Sequence, residues 1–471
     1  MSFPVVRGST ALFKPQVRTA QCFARHAVNF IFAVKYLSSV LGVAVLAVAV
    51  GLMPCRRISA AESINATTQP ENQAGLLPAA LMRTAYLALV KDSIVPADPR
   101  TVANAALEAI ATLAPDRTRP LPADFGSDAE RDAVWLGERV TDLSPLWPVF
   151  DAMAHSAGIA HMGFGTPERK KGIGALMIGE PLSTPGFNFY ALPGGRFVVF
   201  DVVKGASADT SGLRNGDVLV SIDGVRTTRL DSFLLTILPA GTEKVLSVQR
   251  GNHSENIKLR LTKTDFSPVE SRLLEGGIGY VFTRWFARSE NGEHDTATLA
   301  RRAFMALAAQ GARGLVLDLR SCRGGIGNVQ MSSALCDGDL VYFVQQPLSA
   351  PPRPVKREGE RCWPDRPIVV LLNEETISAP EALALTLREQ GHAKIIGQRS
   401  AGALTEFSFV PLAEGYAMTI PTGIVLGPVT GKPQPGHALQ PDIEIPNPGI
   451  DDLLQGRDLQ LDAAMKAIDS R

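Results

Sequence analysis

With 471 residues the chain has room for two to four domains at roughly 100 to 200 residues each, and its 45% hydrophobic residues can build a packed core. A wholly disordered or fibrous chain is thereby excluded. Lys plus Arg and Asp plus Glu both number 47, so the excess positive charge of a nucleic-acid footprint is missing and no nucleic-acid partner is expected.

The charge is unevenly spread. Residues 1–61 carry seven basic side chains and no acidic one, which leaves 40 basic against 47 acidic residues from Glu62 onward and a formal charge of −7 on that body. Within this leader, Arg7, Lys14, Arg18, Arg25 and Lys35 precede an uncharged apolar run at 36–55, and Ser59-Ala60-Ala61 follows it. Basic, apolar and small residues in that order describe a secretory signal peptide cleaved near Ala61. An uncleaved inner-membrane anchor is the alternative, because the run reaches the roughly 17–25 residues that span a bilayer. Either reading exports the rest of the chain, to the periplasm or to the periplasmic face of the inner membrane. Cys22 and Cys55 belong to the leader, so Cys322, Cys336 and Cys362 remain. In an oxidising compartment this odd count predicts one disulfide, with Cys336–Cys362 preferred because it closes the Pro-rich excursion between them. No Cys/His cluster has metal-ligand spacing, and neither metal nor cofactor is expected.

Along residues 62–165 the apolar positions of LMRTAYLALVKDSIV and TVANAALEAIATLA recur at three and four, as on amphipathic helices, with Pro96 and Pro99 between them. A third helical stretch is predicted around 130–157, ending at SAGIAHMGFG. Residues 166–265 instead show short β-rich runs, FVVFDVV, DVLVSID, VLSVQR and NIKLRLT, bounded by glycine and polar turns. From 270 to 471 the strands GIGYVFTRWF, GLVLDLR, RPIVVLLN and AKIIGQ alternate with the helical patterns DTATLARRAFMALAAQG and SAPEALALTLREQG. That alternation indicates a mostly parallel, buried sheet, and a last helix closes the chain. The expected fold is α+β and multidomain.

The segment FVVFDVVKGASADTSGLRNGDVLVSIDGVRT resembles a PDZ domain, in its Gly205–Ala208 turn, the helix start SGL, Asn215-Gly216-Asp217 and Ile222-Asp223-Gly224. PDZ domains are β-barrel-like and add an extended C-terminal tail to a sheet edge, with backbone N–H groups of a glycine-containing loop receiving the terminal carboxylate. The resemblance puts that loop at Lys171-Gly172-Ile173-Gly174. An ordinary turn is the other reading of these glycines.

LVLDLRSCRGGIG (315–327), VVLLNEETISAPEALALTLREQG (369–391), IIGQRSAG (395–402) and LQPDIEIP (439–446) resemble the successive motifs of the C-terminal processing peptidases, the tail-specific serine proteases. The resemblance spans roughly residues 78–471 and implies an α/β catalytic domain of the crotonase/ClpP-like type. It makes Ser378, in Ser378-Ala379-Pro380-Glu381, the nucleophile, and it assigns the oxyanion donors to Gly324 or Gly325 and to Ala379. Glycine suits a turn whose backbone must approach substrate closely, and a helix N-terminus favours developing negative charge at Ser378. Read alone, Ser378 with Glu381 is also an S-x-x-E capping box.

The family's lysine base falls on Ala403, 25 residues after Ser378. Arg399 cannot replace it, because a guanidinium keeps its proton, and Lys394 lies on a strand outside the motif. The tricorn-like and interphotoreceptor-retinoid-binding-protein-like branch also lacks this lysine, and resemblance to tricorn points to a histidine ahead of the PDZ, here His161. His437 is its competitor, and Glu406 is a candidate to orient the imidazole. Two functions follow from the resemblance: an exported serine endopeptidase that engages polypeptide C-terminal tails through its PDZ, or a catalytically inactive peptide-binding module. Carriage of an apolar ligand is a third.

Export is testable. Expressed in a bacterial host, the chain should be found in the envelope fraction with an N-terminus near Glu62. N-terminal sequencing that finds an intact Met1 on cytoplasmic protein would contradict this reading.

Overall fold

The computed structural model describes residues 70–470, except 118, 142–145, 179–182, 193–195, 228–239, 264–265 and 290–291. The apolar run at 36–55 and the cleavage site near Ala61 lie outside the described residues. Among those described, no helix is long and apolar enough to cross a membrane.

Four helices come first: α1 (Pro70–Leu87), α2 (Pro99–Leu113), α3 (Ala129–Gly137) and α4 (Trp147–Ser156). Their starts are set chemically. The Asp98 carboxylate accepts from Thr101 N at 2.8 Å, Pro99 takes the first helical position, and Asp128 caps α3 in the same way. The stretch predicted as one helix at 130–157 is two, because Pro148 can open a helix but not continue one. The buried faces of these helices meet Met418 and Ile420 of a later strand, so the helical layer is fastened to the C-terminal region.

Next come β1 (Gly163–Gly165) and α5 (Pro167–Ile178), then β2 (Asn188–Leu192), β3 (Arg196–Phe200), the short α6 (Ser207–Thr210), β4 (Val218–Ile222), β5 (Val225–Arg226), β6 (Glu243–Arg250) and β7 (His253–Arg260). Strands β2-β3-β4-β6-β7 form one antiparallel sheet, with β5 on β4, around its own apolar core. This sheet corrects the expected tail-binding loop. Gly172, Ile173 and Gly174 lie inside α5, where interior N–H groups serve the helix, and NFYAL is an additional strand, so the segment leading into the edge strand is 184–187. At Gly186 φ is 78°, and a Cβ would fall 2.2 Å from the Ala206 Cβ.

The remaining elements are β8 (Val269–Leu274), β9 (Ile278–Thr283), α7 (Thr296–Ala309), β10 (Gly314–Asp318), α8 (Asn328–Leu335), β11 (Leu340–Gln345), β12 (Arg353–Lys356), β13 (Ile368–Leu372), α9 (Ala379–Glu389), β14 (Ala393–Gly397), β15 (Thr405–Pro411), β16 (Ala417–Leu426), β17 (Ile443–Glu444), α10 (Ile450–Leu454) and α11 (Leu459–Asp469). The sheet β17-β14-β13-β10-β9-β8 is parallel except at β8, and its central strands are apolar throughout because both faces are covered. Leu315, Leu317, Val370 and Leu372 share a core with α7, α8 and α9, while Val316, Val369 and Leu371 share one with Ala464, Ala467 and Ile468 of α11. A second, antiparallel sheet, β1-β16-β11-β12 with β15 on β16, brings the segment before β2 beside the C-terminal region.

Parallel neighbours β10 and β13 end side by side, and the turns that leave them are latched by buried polar groups. Asn373 Oδ1 accepts from Ser321 N (2.8 Å) and Glu375 N (3.1 Å), and Asn373 Nδ2 donates to Ser321 Oγ (3.1 Å). Thr376 Oγ1 donates to Leu319 O at 2.8 Å, and Ile377 N to Cys322 O at 3.1 Å. The predicted disulfide is absent: Cys322, Cys336 and Cys362 are all free thiols. Cys336 instead turns back on its own helix and donates to Ser332 O at 2.9 Å.

Removing the latch should be costly. Asn373→Ala leaves the buried N–H groups of Ser321 and Glu375 without their acceptor, and should lower stability by about 2–4 kcal/mol in urea titration. A loss below about 0.5 kcal/mol would show that the turns hold together without it.

Candidate active site

Ser378 stands between β13 and α9, at the N-cap of the helix, with φ 73° and ψ −115°. A non-glycine residue adopts such a backbone only when its surroundings enforce it. The enforcing group is Glu381. Its fully buried carboxylate accepts from Ser378 N (2.6 Å), Ser400 Oγ (2.5 Å), Gly402 N (2.9 Å) and Ala403 N (2.9 Å). Burial pushes its pKa up to about 7 against the pull of these four donors. Ala403, where the resemblance expects a lysine, thus has a buried methyl side chain and a backbone N–H tied to Glu381.

The turn after β10 supplies the opposing backbone. Gly325 has φ 117°, and a Cβ there would fall 1.7 Å from Phe286 O, so only glycine fits. Phe286 N donates to Gly324 O and Ile326 N to Phe286 O, which leaves the Gly325 N–H outside this bridge. Gly324 is packed against Ile377 O and Ser378, with its N–H close to the Cys322 thiol, and Gly325 is the one of the two that lines the cavity in front of Ser378. Ala379 is the first residue of α9, where an N–H has no partner within the helix.

That cavity, of about 460 Å³, is lined by Ser378, Gly325, His161, Ile173 and Phe407 among others. His161 and Ser378 are therefore brought to one chamber from either side of the PDZ sheet. The His161 backbone has φ 64°, its Nδ1 lies 2.9 Å from Thr405 Oγ1, and its ring packs against Phe407 with centroids 4.9 Å apart. Burial pushes the imidazole pKa down to about 4, opposed by the Thr405 contact, so the ring is neutral at pH 7. In the tautomer whose Nδ1–H donates to Thr405 Oγ1, Nε2 keeps the lone pair that a general base needs.

Strand alternation separates two neighbours on β15. Thr405 is buried against His161, whereas Glu406 projects elsewhere, in an exposed ion pair with Arg353 at 3.3 Å. Thr405, not the expected Glu406, orients the ring. His437 is not among the residues lining the cavity. It sits in a tight turn with φ 53°, its carbonyl accepting from Leu404 N.

Two groups on the outer edge of the PDZ sheet are engaged by the catalytic region. Ser321 Oγ donates to Phe189 O at 2.8 Å, and Ala191 N donates to Glu374 Oε1 at 3.0 Å. Sequence reading missed both, since β2 itself was unrecognised. A further tie is the Asp201–Arg284 pair at 2.7 Å, where burial raises the Asp201 pKa to about 6 despite the guanidinium.

Comparison with known proteins matches residues 277–445 to peptidase family S41 and residues 198–250 to the PDZ domain. The C-terminal processing peptidase of Tetradesmus obliquus chloroplasts is 31% identical over 247 residues, 47% of this chain and 51% of that protein. Carboxyl-terminal-processing peptidase 3 of Arabidopsis thaliana chloroplasts is 26% identical over 333 residues, 66% and 60% of the two chains. The chain thus spans about half the length of the curated relatives it matches. Among solved structures, the photosystem II D1 C-terminal processing protease aligns at a TM-score of 0.48 with 22% identity, covering 75% of this chain and 94% of that one.

The charge state of His161 is directly measurable. Its folded pKa lies below the 6.5 of an unfolded histidine, so its contribution to stability is complete above pH 6.5 and is lost as pH falls toward 4. Imidazole NMR should show His161 titrating near pH 4. A midpoint at about 6 or above would contradict the buried, neutral assignment.

Proposed function

We propose that the chain, which carries a peptidase family S41 domain behind a PDZ domain, is a serine-type peptidase that hydrolyses polypeptides at Ser378 with His161 as general base. One observation carries this reading: the strained, helix-capping Ser378 and the neutral His161 share a cavity with the Gly325 turn. In the reaction, His161 Nε2 takes the Ser378 Oγ proton as the oxygen attacks the scissile carbonyl carbon. The oxyanion receives the N–H groups of Gly325 and Ala379, fixed before substrate arrives. The imidazolium then gives its proton to the leaving amine. Water, activated by the same imidazole, hydrolyses the acyl-enzyme and returns Ser378. A base of low pKa pulls weakly on the serine proton, but it is wholly in its active form at pH 7.

The proposed substrates are polypeptides presented by their C-terminal tails, with β2 as the strand to which a tail would add. Such a tail must displace Ser321 and Glu374 from the β2 edge. Both residues belong to the two latched turns that carry Gly325 and Ser378, so tail binding and the state of the catalytic turns are coupled by these contacts. Export, by a signal peptide or a membrane anchor, is proposed from the charge order of residues 1–61. A catalytically silent peptide binder is the second reading, and the observation in its favour is the methyl group of Ala403 where the family carries a lysine.

Kinetics separate the two. Ser378→Ala and His161→Ala should each reduce kcat by about a thousandfold or more, and the double variant should be scarcely worse than either, because residues acting as a unit are strongly non-additive. A protein that folds but cleaves no polypeptide even with Ser378 intact is the silent binder. If His161→Ala keeps kcat while His437→Ala loses it, the base is His437.

A further inference from the structure

Several charged groups line the Ser378 cavity. Arg323 and Glu375 pair with each other at 2.8 Å, both almost fully buried, and His161 rests on Thr405. Arg169, from the first turn of α5, lines the same cavity and is left partly unsatisfied. Its Nη1 donates to Phe164 O at 2.6 Å, and its Nε is buried without a hydrogen-bond partner in the protein. Burial weakens its hold on the proton, and the charge of Asp151, which lines the same cavity, opposes this.

Nothing in local folding calls for arginine here. Thr166 Oγ1 already receives the Arg169 N–H at 3.2 Å, and the first turn of a helix is where its dipole disfavours a cation. The side chain lies along the neighbouring strand. A Cβ at Gly163 would fall 3.5 Å from Arg169 Nη2 and 3.6 Å from Nη1, so the guanidinium lies in van der Waals contact with β1. The result is a planar cationic fork with spare donors in the chamber that holds the nucleophile. Its natural complement is a carboxylate, which a fork-shaped donor can bind in a bidentate manner.

We propose that Arg169 is a specificity-determining residue that receives a carboxylate of the polypeptide bound at Ser378. This rests on the reading of the cavity as a peptidase site. The carboxylate has two possible sources, an Asp or Glu side chain near the scissile bond or the terminal carboxylate of a short tail reaching into the cavity. Both present the same charge and geometry to the guanidinium.

The test uses three peptides of one length: a neutral amidated peptide, the same peptide with an internal Asp, and the neutral peptide with a free terminal carboxylate. Binding is measured by fluorescence anisotropy to Ser378→Ala protein, and kcat/KM is measured with Ser378 intact. One carboxylate peptide should be favoured over the neutral one by about ten- to a hundredfold, and which one it is identifies the source. Adding Arg169→Gln should bring that ratio close to one, and Arg169→Lys should restore part of it. Equal losses on all three peptides would overturn the proposal and leave Arg169 as a prop for the Phe164 carbonyl, and so would the absence of any preference. If the carboxylate preference appears in binding while no peptide is cleaved, the proposal stands and the peptidase reading fails.

Discussion

One buried carboxylate sets the geometry on which the site depends. Glu381 collects the N–H of Ser378, the hydroxyl of Ser400 and the N–H groups of Gly402 and Ala403. A carboxylate taken wholly out of water is costly unless donors surround it, and here the donors come from two separate loops. Satisfying Glu381 therefore fixes two things together: the strained backbone of Ser378, and the path of the 400–403 segment beside it. The capping interaction and the catalytic geometry are the same contact.

Around this centre the fold acts as a frame of short polar ties between apolar layers. The parallel sheet ends two neighbouring strands together, and the Asn373, Ser321 and Thr376 network holds their turns in register. The second sheet carries β1 and the histidine loop to the same place through the pairing of β1 with β16, and β15 in that sheet contributes Thr405. The PDZ edge strand meets the turns through Ser321 and Glu374. The groups that hold this edge therefore belong to the turns that carry Gly325 and Ser378.

Much of this was legible in the sequence because the signals were strong and local. Continuous apolar runs such as GLVLD and IVVLL mark strands covered on both faces, and the buried positions Thr296, Ala300, Ala303, Phe304 and Leu307 follow the helical period that marked α7. Less legible were contacts that depend on sheet order. NFYAL is a short strand without clean alternation, and the glycines of α5 imitate the loop expected ahead of the PDZ edge. The Pro-rich excursion hides β12, and the antiparallel sheet that joins residues 163–165 to 417–419 pairs segments too distant in sequence for any local pattern to reveal. For the same reason Thr405 could not be told from Glu406 until the face of β15 was known. Arg169 gave no signal, because an arginine in a polar helix start is ordinary until the cavity behind it is seen.

The proposed activation of Ser378 by His161 is measured most directly by covalent labelling. A fluorophosphonate should form a single adduct, mapped by peptide mass to Ser378. Its rate at pH 7 should fall about a hundredfold in His161→Ala and be unchanged in His437→Ala. Folded protein that takes no label at Ser378, or labels there equally fast without His161, would contradict the account.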